Sequence, residues 1–276
     1  MVFFHFVCTN KLEVELLEEC GVRNVLISYA FKDRFGNTFD WIRDKFDKIF
    51  LDSGAFTAWK KGKPVDMEEY CDFILKEKGN YDVVAQLDEI GNMQKTIQNY
   101  DHMVSKGIDW QLAILQGNWE SALAQFEPHL VNDYLGIGSD TYYKKSYRDQ
   151  YDVVRGLSKK YKFHGFAKGK FEAFKNNWFH SIDSSTWSFG ARGRESNCRV
   201  KGQNMFAQFG NKGRSDIATL NYIYEWLNED CDKCQVNYNA LVSGDYRTLL
   251  KIGVVLYYRP LFRELGKEQF NKNFYW

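Results

Sequence analysis

Three aspartates stand where an apolar run gives way to a polar loop. Asp52 follows Lys48-Ile49-Phe50-Leu51 and opens the stretch Asp52-Ser53-Gly54-Ala55-Phe56. Asp88, with Glu89, follows Val83-Val84-Ala85-Gln86-Leu87, and Asp183 follows His180-Ser181-Ile182. Between them, Leu112-Ala113-Ile114-Leu115 ends in Gln116-Gly117, and Tyr134-Leu135 leads to Gly136-Ile137-Gly138. Carboxylates attack electrophilic carbons or move protons. A side-chain amide donates and accepts at once. Polar groups gathered at the carboxyl ends of successive strands are the sequence form of a barrel active site. Each also has a plainer use. An Asp after a strand is a common turn former or helix N-cap, Gln116 can serve loop amides, Gly136 and Gly138 can relieve packing, and Phe56 can belong to the core.

The elements that must position these groups are visible as a repeated alternation. Eight short apolar runs precede residue 186: Val2–Cys8, Val25–Phe31, Ile49–Leu51, Val83–Leu87, Gln111–Leu115, Tyr134–Ile137, Phe163–Ala167 and Ser181–Ile182. Between them, apolar residues recur at three- and four-residue steps and stop at glycine, as in Met67, Tyr70, Phe73, Ile74 and Leu75 before Gly79. That spacing predicts amphipathic helices with glycine caps. Strands alternating with helices pair in parallel through right-handed crossovers. Eight such units predict an α/β fold, a closed (β/α)8 TIM-type barrel. The final units are short, which leaves an open doubly wound sheet as the alternative.

After Asp183 the texture changes. Residues 188–216 are rich in Gly, Asn and Arg with little periodicity, and between Arg192 and Arg214 six basic residues face one acidic. Helical spacing returns at Ile217, Leu220, Ile223, Tyr224 and Leu227, and a further helix is expected from Tyr246 to Tyr258, ended by Pro260. The economical division is a catalytic barrel core over 1–187, with a basic loop and C-terminal helical extension over 188–276 in the same domain.

The totals exclude several classes. With 276 residues, 44% apolar and 26% charged, the chain has the make-up of a globular protein rather than a disordered one. No apolar run approaches the ~20 residues needed to span a bilayer, so no membrane partner is expected. Met1 to Cys8 is apolar but has no basic segment or cleavage site, and reads as a first strand rather than a signal peptide. Six widely spread cysteines, with only Cys231 and Cys234 close together, fit a reducing, cytoplasmic compartment. A net charge of +1 gives no global pull toward nucleic acid, so such binding needs a local patch. Aromatics make up 17% of residues, including eight Trp, and most of them read as core and helix faces.

Taken in order, the loop motifs resemble the tRNA-guanine transglycosylase family, barrel enzymes that exchange guanine for a 7-deazaguanine in nucleic acid. Asp52-Ser53-Gly54-Ala55-Phe56 is similar to the family's Asp-Ser-Gly-Gly-Phe/Tyr, Leu87-Asp88-Glu89 to its Phe-Asp-Glu, and Leu115-Gln116-Gly117 to its Val-Gln-Gly. Leu135-Gly136-Ile137-Gly138 is similar to its Leu-Ala-Val-Gly, and Ile182-Asp183 stands where its nucleophile belongs. The resemblance covers roughly residues 48–190. It is nearest the branch from phages and bacteria that acts on DNA. Asp183-Ser184-Ser185-Thr186-Trp187 resembles that branch and lacks the Pro-Thr-Arg segment of the tRNA enzymes.

The resemblance implies roles that the chemistry supports. Breaking a base–sugar bond passes through an oxocarbenium-like state, which a carboxylate captures as a covalent intermediate. Asp183 is the expected nucleophile and Asp52 the group that moves protons on the departing and incoming bases. An ionised Asp88 would accept from guanine N1–H and the exocyclic amine. The Gln116 amide and a backbone N–H near Gly138 would face O6, where glycine permits close approach to a flat base. Phe56 would stack on the base, and Ser53 belongs to the same substrate-binding loop. The expected partners are DNA, favoured over tRNA, and the free 7-deazaguanine base, such as its 7-cyano form. Arg192, Arg194, Arg199 and Lys201 are the expected phosphate contacts.

Zinc is the one metal expectation. Cys231-Asp232-Lys233-Cys234 has spacing suited to tetrahedral zinc. The family carries Cys-x-Cys-x-x-Cys with a later His at this place, whereas this chain has Glu229 at the first position and no His after His180. A structural Zn site would need Cys198, or His164 or His180 from upstream, to join them. Reduced structural thiols are the alternative. Three other functions remain open: a tRNA-guanine transglycosylase, a barrel N-glycoside hydrolase acting with water, and a non-catalytic nucleic-acid-binding partner subunit.

Overall fold

The structure is a computed structural model that describes residues 2–138, 147–168, 178–193, 195–200, 203–208, 217–230 and 235–265. For 147–151, 193, 195–200, 203–208, 217, 226–227, 229–230 and 256–265 it describes the backbone only. The chain divides into two compact units, one of Met1–Lys11 with Asn24–Ser184 and one of Leu12–Arg23 with Ser185–Trp276.

The first unit is a closed barrel of eight parallel strands: β1 (Phe3–Cys8), β2 (Asn24–Ser28), β3 (Lys48–Asp52), β4 (Val83–Ala85), β5 (Gln111–Leu115), β6 (Tyr134–Ile137), β7 (Lys162–Gly165) and β8 (Ser181–Ser184). Each of the eight expected runs supplies one strand, and the β1–β8 pairing, with His5 opposite Asp183, closes the ring. The fold is therefore the (β/α)8 barrel, and the open sheet is excluded. Closure leaves no edge strand and buries both faces of every strand, which is why β2 and β5 are buried at every position. Leu26, Phe50, Ala85, Leu112 and Ile114 pack as one core cluster, flanked by Val7, Val83, Tyr134 and Phe166.

The connecting helices within this unit are α2 (Asp40–Arg43), α3 (Ala55–Lys61), α4 (Met67–Lys76), α5 (Met93–Ser105), α6 (Trp119–Phe126) and α7 (Tyr147–Leu157). Several start on side-chain caps. Asp66, Asn92 and Asn118 each accept the backbone N–H three residues on, at 2.9, 3.0 and 3.0 Å. These caps fix where each loop ends, and so where the functional side chains of the preceding strand ends can point.

The second unit holds α1 (Lys11–Glu19, assigned to it from Leu12 onward), α8 (Phe189–Gly193), α9 (Ile217–Asp230), α10 (Tyr238–Ser243) and α11 (Tyr246–Leu265). Arg247 and Lys251 on α11 both pair with Glu19 on α1, Lys251 at 3.4 Å. A Cβ at Gly253 of α11 would stand 1.8 Å from the Trp187 carbonyl oxygen, so only glycine permits that approach. Two expectations are corrected here. The segment read as a basic loop contains an antiparallel pair, β9 (Glu195–Val200) and β10 (Gln203–Gln208). The strands are separated by only Lys201-Gly202, a connection short enough for a hairpin, and their polar composition hid the pairing. Helix α11 also runs past Pro260 to Leu265. A proline inside a helix removes one backbone donor, and here that cost does not end the helix.

Candidate active site

The barrel brings the three aspartates to the carboxyl ends of β3, β4 and β8, the face where barrel enzymes build their sites. Asp52 is the last residue of β3 and lies in register with Ser28 at the end of β2. Its Oδ2 accepts the Gly54 N–H at 3.1 Å. Gly54 has φ +78°, and a Cβ there would stand 2.5 Å from Ala30 Cβ and 2.9 Å from the Ala30 amide nitrogen. The tight turn that aims Asp52 therefore requires glycine on two counts, conformation and space. Burial raises the Asp52 carboxyl to about 6, and the charge of Asp183 adds to the rise. The buried Ser28 hydroxyl beside it lowers the value somewhat, yet among the described residues it makes no hydrogen bond of good geometry.

Asp88 sits three residues beyond β4, on a loop pinned by α5. Asn99 Nδ2 donates to the Leu87 carbonyl at 2.9 Å, and Thr96 Oγ1 accepts the Glu89 N–H at 3.0 Å. Gln116, just after β5, donates from Nε2 to Asp88 Oδ2 at 2.6 Å, while its Oε1 accepts the Gly91 N–H at 2.7 Å. Gln116 thus orients Asp88 and keeps a second Nε2 hydrogen to offer. Burial raises Asp88 to about 7, the charge of Asp52 adds to it, and the Gln116 bond opposes it. A cleft of about 670 Å³ opens on the α3–α5 side of Asp88, lined among others by Trp59, Lys63, Glu68, Glu89 and Lys95; Asp52, Gln116 and Asp183 do not line it.

Asp183 lies within β8, 6% exposed. Its Oδ1 accepts the Ala167 N–H at 3.0 Å and meets His164 Nε2 at 3.2 Å. Among the described residues Oδ2 has no hydrogen-bond partner. Ala167 presents its N–H from a left-handed conformation, φ 55°, uncommon for a residue with a Cβ. Burial raises Asp183 to about 7, against the Ala167 bond and the charge of Lys168, a lysine only 5% exposed.

His164 organises this corner. It is fully buried, with its ring 4.4 Å from that of Phe50 and 4.5 Å from that of Phe166. Burial lowers it to about 3, so the imidazole is neutral, with one donor and one acceptor nitrogen. Facing an ionised Asp183, Nε2 carries the hydrogen. Nδ1 then accepts from the Ser181 hydroxyl at 2.6 Å, and Ser181 Oγ accepts from the Tyr134 hydroxyl. Burial pushes the Tyr134 phenol up, so it stays a donor. The donors run one way, from Tyr134 through Ser181 and His164 to Asp183.

The remaining site expectations fall out as follows. Ser53 is 1% exposed and its Oγ accepts the Ala55 N–H at 3.3 Å, so it starts α3. Gly138 is partly exposed, and a Cβ there would meet nothing within 4 Å, whereas one at Gly136 would press into Leu112 and Phe166. Phe56 is exposed on α3 and does not line the cleft beside Asp88. Arg192 pairs at 3.6 Å with the buried carboxylate of Glu13. Arg194, Lys201, Cys231 and Cys234 lie outside the described residues, as do the side chains of Arg199 and Cys198. Both ring nitrogens of His164 are engaged, with Ser181 and Asp183. His180 packs against Phe3 and Tyr134. Among the described residues no group of three His, Cys, Asp or Glu is placed to hold a metal, and no helix is long and apolar enough to cross a membrane.

The sequence reading missed Lys168, Ala167 and the Ser181–Tyr134 link, and gave His164 only as a possible zinc ligand. One signal was available. His164 is the second residue of the seventh apolar run, in step with Phe166, so alternation along the strand places the two on one face. Comparison of the chain with protein-family models and with curated proteins finds no match.

Proposed function

We propose that this protein exchanges guanine in DNA for a 7-deazaguanine base, such as its 7-cyano form, through a covalent Asp183–sugar intermediate. The observation that carries the reading is the convergence of Asp52, Asp88 and Asp183 at one barrel mouth, each raised by burial into the range of about 6 to 7. Carboxyls so tuned exchange protons near neutral pH. The motif order set out above supplies the substrate class.

In the proposed reaction the Asp183 Oδ2 lone pair attacks C1′ of the deoxyribose. The C1′–N9 bond breaks, its electron pair stays on guanine, and Asp52, in the fraction of molecules where it rather than Asp183 holds the shared proton, delivers the proton that lets the base leave neutral. After the bases exchange, Asp52 takes the N9 proton of the incoming base. That nitrogen attacks C1′ and releases the Asp183 carboxylate. Two displacements retain the configuration at the sugar. Ionised Asp88 accepts the N1–H and exocyclic amine of the base, and the remaining Gln116 hydrogen is available to O6.

Incubation with an oligodeoxynucleotide and labelled guanine tests this. Wild type should incorporate label and form an adduct that survives denaturation, and Asp183→Asn, isosteric and able to keep the Ala167 and His164 bonds, should do neither. Release of guanine without incorporation would mark a hydrolase. Label entering tRNA alone would move the substrate and leave the chemistry.

A further inference from the structure

The cations expected to meet nucleic acid lie mostly outside the described residues, yet the barrel unit carries a second cationic surface. Helix α3 starts two residues after Asp52 and reads Ala55-Phe56-Thr57-Ala58-Trp59-Lys60-Lys61, followed by Gly62-Lys63-Pro64. The helix and the three residues after it hold three lysines and no carboxylate. Ala55 and Ala58 are buried, while Phe56 and Trp59 are 42% and 48% exposed. Their rings stack at 5.9 Å with planes 28° apart. Lys60 Nζ lies 4.3 Å from the Phe56 ring centre. Beside it, in the turn Tyr29–Phe35, the Phe31 ring is met by Arg34 at 4.7 Å and by Lys61 at 5.7 Å. Arg34, Lys60, Lys61 and Lys63 form no ion pair among the described residues, and Asp33 is the one carboxylate in that turn.

Large exposed aromatics are costly and usually covered in use. Stacked rings threaded with unpaired cations match a ligand with flat faces and regular negative charge. Bases stack on aromatic rings irrespective of sequence, and phosphates need cations at the same spacing. An acidic peptide would use the lysines but has no use for the stacked rings. Trp59 also lines the cleft beside Asp88, so one side chain belongs to both places.

We propose that the exposed face of α3, with Phe31 and Arg34, is a track for the single-stranded nucleotides flanking the base held at Asp88. Trp59 takes the neighbouring base, and Lys60, Lys61 and Arg34 take the backbone phosphates. This rests on the nucleic-acid reading of the site and adds where the flanking strand runs. Phe56 stands on this face beside Trp59.

Fluorescence anisotropy with a labelled single-stranded oligodeoxynucleotide, without added base, tests the track. Trp59→Ala should weaken binding about tenfold or more with the salt slope unchanged, and Trp59→Phe should recover part of the loss. Lys60→Gln with Lys61→Gln should flatten the slope of log affinity against log salt by about 1.4 units, the loss of two single-strand phosphate contacts. These positions are exposed, and unchanged thermal melts separate a surface effect from misfolding. Wild-type affinity in both variants overturns the proposal. So does competition by polyglutamate as effective as by oligonucleotide at equal charge. If binding depends on the ring and the lysines but no nucleic acid accepts labelled base, the track stands and the exchange reading fails. If exchange proceeds and Trp59→Ala exchanges and binds as wild type does, the track fails alone.

Discussion

At the scale of single residues, the proposed nucleophile Asp183 is held by the buried His164 ring and the Ala167 N–H. Hydrogen bonds to a carboxylate favour its ionised, nucleophilic form, and His164 supplies one of the two at Oδ1. His164 is thus a positioning residue whose contribution has a definite sign. His164→Ala should raise the Asp183 carboxyl above its value of about 7 and move the acid limb of the pH–rate profile upward. A hydrogen bond to a charged group is worth about 1.5–3 kcal/mol, which is one to two pH units. His164→Gln, able to donate at a similar place, should return the limb toward wild type. A lower rate at every pH with the limb unmoved would assign His164 to packing against Phe50 and Phe166 instead.

At the scale of elements, the strand-to-helix turn after β3 does two tasks. It aims Asp52 back through the Gly54 N–H, and it launches α3 with its exposed rings. Gly54→Ala would need a left-handed alanine in contact with Ala30. Conformation and overpacking together should cost about 2 kcal/mol or more. Denaturant unfolding should show that loss, with base exchange falling further than stability alone explains. A variant as stable as wild type would mean that the turn can move, and that Asp52 is not held by it. The loop after β4 is built differently, tethered from outside by Thr96, Asn99 and Gln116. It too turns on a left-handed glycine, Gly91 at φ 80°, whose N–H donates to Gln116.

For the whole molecule, buried carboxyls tie stability to pH. Asp52, Asp88 and Asp183 ionise near 3.8 in an unfolded chain but at about 6, 7 and 7 in the fold. The folded protein therefore binds more protons between about pH 4 and 7. The stability these groups contribute is full below that window and is lost as pH rises through it. His5 and His164, lowered to about 3, act in the opposite sense, and their contribution is lost as pH falls below about 6.5. Asp183→Asn removes one group of the first kind. Its melting temperature relative to wild type should climb between pH 4.5 and 8, measured by thermal unfolding across that range. A constant difference would mean that Asp183 ionises in the fold as easily as in water.

The sequence alone pointed to eight strand–helix units, a barrel with an open sheet as the alternative, and to the polar loops at the strand ends. Parallel strands buried on both faces must be short apolar runs, glycine stops must end the helices between them, and both signals are local. It also placed Asp52, Asp88, Gln116 and Asp183 at strand ends, because polar residues there interrupt the apolar pattern. Only the tertiary structure decided what each of them faces. Gln116 meets Asp88 across 28 residues, His164 meets Asp183 across 19, and Tyr134 meets Ser181 across 47. Ser53 turned inward to start a helix, and Phe56 turned outward beside Trp59. The pairing of β9 with β10 is local, and its polar composition hid it. What the site side chains face depends on closure of the ring and on packing between distant segments, and no spacing along the chain encodes it.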